Sequence, residues 1–370
     1  MKEIILNLTF TSIMMQQEIQ FKNNRQIAIW LLIGVGMIVI QVLLGGITRL
    51  TESGLSITEW KPITGALPPL NETAWQIEFE KYRHTDQFKY VHQSFSMHEF
   101  KFIFFWEWFH RLWARLMGMV FLIGFTYFLF KRKFSKSTVT PMIVLFCLGG
   151  VQGAIGWIMV KSGLVPEKYF VGHIELTTHF IAALILLAYT LWFAMNHVVA
   201  FKEKIYQSGI RKLLLFILGA LFIQLIFGGF MAGLKAAISA PTWPSINGYL
   251  FPPQINELSP WKENLINNKT TIHFIHRGMG YLILILTIIF FVKTNNINSS
   301  SLFRNIRFLF LISVGLQIVL GISALLISTN PSAFVYVGVA HQFTAMLIVM
   351  CVTALLFLIR KENAIPAESA

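Results

Sequence analysis

Four histidines stand inside long apolar stretches of this chain: His110, His179, His276 and His341. A charge at the centre of a membrane span costs about 2.5–3.5 kcal/mol on insertion scales, so ionisable groups persist there only where something is gained. One such histidine is explained by a hydrogen bond to a neighbouring helix. Four at recurring positions, with His110 and His276 each followed directly by arginine, point to ligation instead. Neutral imidazoles paired from two helices suit the two axial positions of a haem iron. Zinc or copper fits less well, because no cysteine or carboxylate recurs beside all four. Arg49, Arg111, Arg115 and Arg277 would supply cations for haem propionates. Arg111 also stands four residues after Glu107, the spacing of an ion pair on one helix face.

The surroundings of the histidines are not all alike. Three residues before His110 is Glu107, whereas three before His276 is His273. At that spacing each shares the helical face of the following histidine. A carboxylate beside a ligand can orient it, stabilise developing positive charge or move protons. A haem that only stores electrons needs no such group. The first half is therefore the candidate for chemistry and the second for a resident cofactor. His84, His92 and His98, in or beside a long loop, read as solvated, as does His197 at a helix end. His173, six residues before His179, either stacks near a haem edge or sits at the membrane interface.

The elements that must carry these residues follow from composition. Of 370 residues 55% are hydrophobic and 13% charged, with a mean hydropathy of +0.63. A soluble chain carries roughly a quarter charged residues. The net charge of +13 fits the positive-inside bias of a membrane protein, and no nucleic-acid partner is expected. Cys147 and Cys351 lie in apolar runs, which predicts neither a loop disulfide nor a zinc site. The first 26 residues lack a small-residue cleavage pattern, and Met15 is an alternative start. Apolar runs long enough to span a bilayer fall at about 27–48, 100–130, 139–160, 171–195, 212–234, 271–292, 305–328 and 335–359. Short loops after the even spans carry Lys131, Arg132, Lys133 and Lys136, then Lys202, Lys204, Arg211 and Lys212, then Lys293, Arg304 and Arg307. Arg360 and Lys361 follow the last span. The loops 49–99 and 235–270 are long and rich in Pro, Trp and Asn. One orientation satisfies every basic loop: both termini in the cytoplasm, with all four histidines in the outer half of the membrane. Trp60, Trp75, Trp106, Trp108, Trp157, Trp243 and Trp261 then form an outer interfacial belt.

The odd spans share a pattern, Q-x-x-x-G, at Gln41–Gly45, Gln152–Gly156, Gln224–Gly228 and Gln317–Gly321. Small residues mark helix contacts in membranes, and one such motif alone means little. Gln152 and Gln317 precede the next span's histidine by 27 and 24 residues, and His110 and His276 precede those glutamines by 42 and 41. The expected fold is an all-α integral membrane protein of eight transmembrane helices in two parallel-repeated four-helix bundles. Its expected parts are a cytoplasmic extension 1–26, halves 27–200 and 205–360, and a cytoplasmic tail 361–370.

These stretches together resemble the haem A synthase family, in the form found in Gram-negative bacteria and mitochondria. The resemblance rests on GGITRLTESGLSITEWKPITGALPPL (45–70), FKFIFFWEWFHRLWARLMG (100–118), GGVQGAIGWIMVKSGLV (149–165), GGFMAGLKAA (228–237), PTWPSINGYLFPP (241–253), HFIHRGMGYL (273–282) and AHQFTAML (340–347). It implies a membrane oxidoreductase that converts the C8 methyl of haem O to the formyl of haem A by successive hydroxylations. It further implies haem b on the iron ligands His276 and His341, substrate haem O on His110 and His179, and Glu107 as the catalytic carboxylate. Haem O synthase is the implied partner, beside an external electron donor or acceptor such as a ferredoxin; a homo-oligomer is left open. The implied location is the bacterial inner membrane. The cysteine pair that one subgroup carries in its outer loops is lacking here, and the family's usual Asn-Thr-Trp/Phe-Pro reads Pro241-Thr242-Trp243-Pro244. Two other classes stay open on the residues alone. One is a two-haem cytochrome b acting only in electron transfer, and the other is a transporter built on the same repeat.

Overall fold

The computed structural model describes residues 2–60, 64–200, 203–297 and 299–360; Lys202 and the expected tail 361–370 lie outside them. Among the described residues eight helices are long and apolar enough to cross a membrane. They are α1 (Lys2–Leu50), α4 (Met97–Phe130), α5 (Lys136–Gly163), α6 (His173–Val198), α7 (Ser208–Gly233), α10 (Lys269–Lys293), α11 (Ser301–Leu326) and α12 (Pro331–Leu358). Each covers an expected span to within a few residues except α1, whose apolar part, Arg25–Leu50, matches the expected first span while the helix itself continues back to Lys2 through the expected extension. Among the described residues the only extended pairing is one bridge between Ile246 and Tyr249.

Capping chemistry sets several of the helix starts. Ser96 and Glu99 form a capping box at the head of α4, and Asn268, Ser300 and Asn330 accept from the first-turn amides of α10, α11 and α12. Pro331 adds a pre-set φ to the first turn of α12.

Four helices, α1, α6, α7 and α12, form the centre, with α1 and α7 each packed against both α6 and α12. The other four lie outside: α4 on α1, α5 on α6, α10 on α7 and α11 on α12. The close-packed core occupies the end of the bundle that carries the short loops, where Leu187, Leu214, Phe290, Phe310, Val352 and Leu355 are fully buried. Lipid is as apolar as these side chains, so dispersion and fit rather than water exclusion hold this part together. The end that carries the long loops is hollow, and the histidines are there.

The first long loop folds into a cap. Helices α2 (Glu72–Arg83) and α3 (Asp86–Tyr90) lay Trp75, Phe79, Tyr82 and Phe88 against Phe100 and Phe104 of α4. Tyr82 stacks on Phe100 at 5.4 Å and Trp75 meets Phe104 edge-on at 5.0 Å. The second long loop carries α8 (Ala236–Ser239) and α9 (Glu263–Ile266).

Candidate functional site

Each Q-x-x-x-G segment faces the histidine of the next spanning helix. A Cβ added at Gly45, Gly156, Gly228 or Gly321 would stand 3.2, 2.8, 3.1 or 3.0 Å from Cε1 of His110, His179, His276 or His341 respectively. One turn away, Gln41 Nε2 lies 3.1 Å from His110 Nε2, Gln152 Nε2 lies 3.2 Å from His179 Nδ1, and Gln317 Nε2 lies 3.1 Å from His341 Nε2. Gln41 and Gln152 also donate to the main-chain carbonyls of His110 and His179. The motif is thus a seat for an imidazole: glycine gives the ring room and glutamine fixes its edge. Sequence reasoning placed it at helix contacts; its link to the histidines needed the fold. A Gly321→Val protein should displace His341 and lose at least about 1–3 kcal/mol of local fit, read as a shift of bound haem from low to high spin.

The histidines then meet in pairs. His110 and His179 lie within electrostatic reach of each other, as do His276 and His341. Both pairs line one cavity of about 900 Å³ shared by the two halves. Its walls include Glu107 and the four arginines Arg49, Arg111, Arg115 and Arg277. Buried atoms around it lack hydrogen-bond partners: Nδ1 of His276 and of His341, and Oε1 of Gln41, Gln152, Gln224 and Gln317. Buried polar groups are ordinarily paired. Neutral imidazoles from facing helices, orphaned polar edges and an apolar cavity with cations at one end fit a haem in each half.

The His-Arg pairs have a second use. Arg111 donates to the carbonyls of Ile57 and Glu59 at 3.2 and 3.3 Å. Arg277 donates to those of Thr242, Pro244 and Ser245 at 2.6, 3.3 and 3.1 Å. Each therefore clamps a long loop over the cavity. Each also meets the residue four before it: Arg111 contacts Glu107 at 2.5 Å, and Arg277 Nε donates to His273 Nε2 at 3.1 Å. Arg49 bonds the carbonyl of Ala232 on α7, and Arg115 lines the cavity one turn beyond Arg111.

Glu107 is 2% exposed. Its Oε1 takes Arg111, while its Oε2 accepts from Ser56 Oγ at 2.7 Å and the Ile57 amide at 2.8 Å. An ionised carboxylate offers about four acceptor positions, so one remains. His273, its counterpart, is 1% exposed with Nδ1 unpartnered.

Two histidines depart from expectation: His197 is half-buried, with Nε2 shielded from solvent and its ring 6.0 Å from that of Phe193, and His92 departs further. His92 is not solvated but 5% exposed, stacked on Phe95 at 3.9 Å. Its Nδ1 lies 2.6 Å from the Tyr82 hydroxyl and its Nε2 3.2 Å from Glu52 Oε2. Lys235, two residues past α7, holds the other Glu52 oxygen, so this chain of contacts ties the two long loops together. Only the folding of α2 and α3 into a cap buries His92; Lys89, Gln93 and Ser94 beside it in sequence give no sign of burial. His84 and His98 are exposed. His173 is absent from the cavity wall and meets Phe230 edge-on at 5.4 Å.

The hydrogen bond from His92, with Lys235, holds the Glu52 carboxyl down to about 2 against the opposing effect of burial. A carboxyl lowered on folding adds stability that is complete above its unfolded value, near 4.5, and disappears as pH falls toward 2. Thermal midpoints in detergent should fall across that window. Glu52→Gln should lower stability at neutral pH by about 1–2 kcal/mol, after allowance for solvent screening, and flatten the dependence.

Fold and site together define an all-α, multi-pass membrane protein with a repeated imidazole seat. The chain belongs to the cytochrome oxidase assembly protein family, whose sequence pattern matches residues 28–353. It is similar to the haem A synthase of Nitrosospira multiformis, 40% identical over 332 residues that cover 89% of this chain and 92% of that one. It is 38% identical to the haem A synthase of Wolbachia pipientis over 355 residues, 95% of this chain and 98% of that one. With the haem A synthase of Flavobacterium johnsoniae the identity is 36% over 336 residues, 90% and 97% of the two chains.

Proposed function

We propose that this chain is a haem A synthase, an oxidoreductase that takes haem O as substrate and oxidises its C8 methyl to a formyl group. The observation that carries the reading is the pairing of two repeat-related histidine sites in one cavity, with a carboxylate, Glu107, beside only one of them. His110 and His179 hold the substrate. His276 and His341 hold haem b, which supplies one-electron redox capacity when bound. The likeness to haem A synthases over nine-tenths of the chain supports the same assignment.

The chain's own residues then have distinct tasks. The Gln-Gly seats fix the imidazoles of both pairs so that neither site reorganises during turnover. Arg111 and Arg277 close the long loops over the cavity and offer charge to propionates at its mouth. Glu107 sets its negative charge beside the substrate, where positive charge develops as two electrons leave the methyl carbon, and its remaining acceptor position then takes a proton from the water that adds there. Two such steps, each passing two electrons to the external carrier and adding one water oxygen with release of two protons, give a gem-diol, which loses water to the aldehyde.

The topology belongs to the same proposal. The basic short loops support an orientation in a bacterial inner membrane with the short loops and both termini on the cytoplasmic side and the long loops outside. Haem O synthase is the partner that would hand over a water-insoluble substrate, and a small electron carrier such as a ferredoxin would take up electrons. Pigment extraction from protein expressed with haem O supply tests the function. Haem A or the hydroxymethyl intermediate is expected; haem B alone would make the protein an electron-transfer cytochrome.

A further inference from the structure

The cavity is lopsided. In the second half it ends at Ile283 on α10 and Ile348 on α12, each seven residues beyond its histidine. In the first half it continues to Phe121 on α4 and Thr190 on α6, each eleven residues beyond. At 1.5 Å per residue these depths are about 10 and about 16 Å. The extra length is walled by apolar groups, with Met117 and Val120 on one side and Leu145 and Phe146 on the other. Trp30 floors it, stacked on Phe121 at 5.4 Å and bonded through Nε1 to the carbonyl of Val120.

The cleft is open to the side as well. Helices α4 and α5 barely touch, whereas their counterparts α10 and α11 pack together. Only 6% of the spanning window of α4, and of α5, is buried, against 22% in α10 and in α11. The sequence cause lies on α5. Counted from the shared glutamine, Gly149 and Gly153 occupy the positions of Val314 and Ile318 on α11, and all four residues line the cavity. A Cβ added at Gly149 or Gly153 would meet nothing within 4 Å.

We propose that this cleft between α4 and α5 seats the isoprenoid tail of the substrate and admits it from the bilayer. The inference rests on the reading of the first half as the haem O site. In haem O the tail leaves the ring edge opposite the propionates. With the propionates at the arginines near the long loops, the tail points down the cleft, whose depth below the ring takes its first part while the gap between α4 and α5 takes the rest. Lipid already solvates such a tail, so the cleft does not gain affinity by burying it. It selects by shape, and the second half, filled by Val314 and Ile318, takes a haem without a tail.

The test imports the second half's residues. Gly149→Val/Gly153→Ile fills the cleft without meeting the backbone and replaces two poor helix formers. Wild type and variant, purified with the resident haem in place and set in nanodiscs, are titrated optically with haem O and with haem B. Binding of haem O to the variant is expected to weaken about tenfold, the usual cost of overpacking, with haem B unchanged. Gly149→Ala/Gly153→Ala should show a smaller loss of the same kind. Equal affinity for haem O in wild type and variant would overturn the proposal, as would an equal loss for both haems. An acyl chain of lipid as the true occupant belongs to the first of these outcomes. A wild type that binds both haems but never forms haem A would sink the enzymatic reading while leaving this comparison valid.

Discussion

Replacing Glu107 by glutamine should cut haem A formation by about a hundredfold or more, with haem O or its hydroxymethyl derivative accumulating. The substitution preserves size and keeps an oxygen for the Ser56 hydroxyl and the Ile57 amide. What disappears is the negative charge that Arg111 meets at 2.5 Å. A buried pair broken on one side commonly costs 3–5 kcal/mol. Here the loss is softened, because Arg111 retains the carbonyls of Ile57 and Glu59. Bound haem and thermal midpoint should therefore change little while product vanishes. Pigment chromatography and haem stoichiometry read the two effects separately. Loss of haem and of stability in proportion to activity would reduce Glu107 to an anchor for Arg111, and normal haem A output would remove it from the chemistry.

Removing the histidines should separate the halves. His276→Ala or His341→Ala is expected to abolish the resident haem signal, because each removes the ring that its glycine seat accommodates. His110→Ala or His179→Ala should leave that signal in place and stop conversion of added haem O. Reduced-minus-oxidised spectra and haem counts per chain check both. If the first-half variants lost the resident haem and the second-half variants kept it, the assignment of substrate and cofactor sites would be reversed.

Much of this was legible before any coordinates. The eight spans followed from apolar run lengths, since a bilayer dictates the number of residues that must be apolar. The four histidines stood out because each is costly where it lies. Glu107 stood out because its repeat counterpart is His273. The first long loop was not legible as structure. Its aromatic residues become a packed cap only against Phe100 and Phe104, and that burial turns His92 from an apparently solvated residue into a link between loops. The glutamines were visible as a repeat without a task, because Gln152 and His179 are 27 residues apart and meet only when two helices lie antiparallel.

The sequence by itself determined membrane class, span number, internal repetition and the residue types able to ligate iron, because each follows from a local cost or period along one chain. Tertiary structure alone decided which groups face one another and where space is left. The separation of α4 from α5 is such a decision: Gly149 and Gly153 can mark a tight helix contact or a gap, and small side chains permit both. In this fold α4 packs on α1 and α5 on α6, so the glycines border a cleft rather than a neighbour.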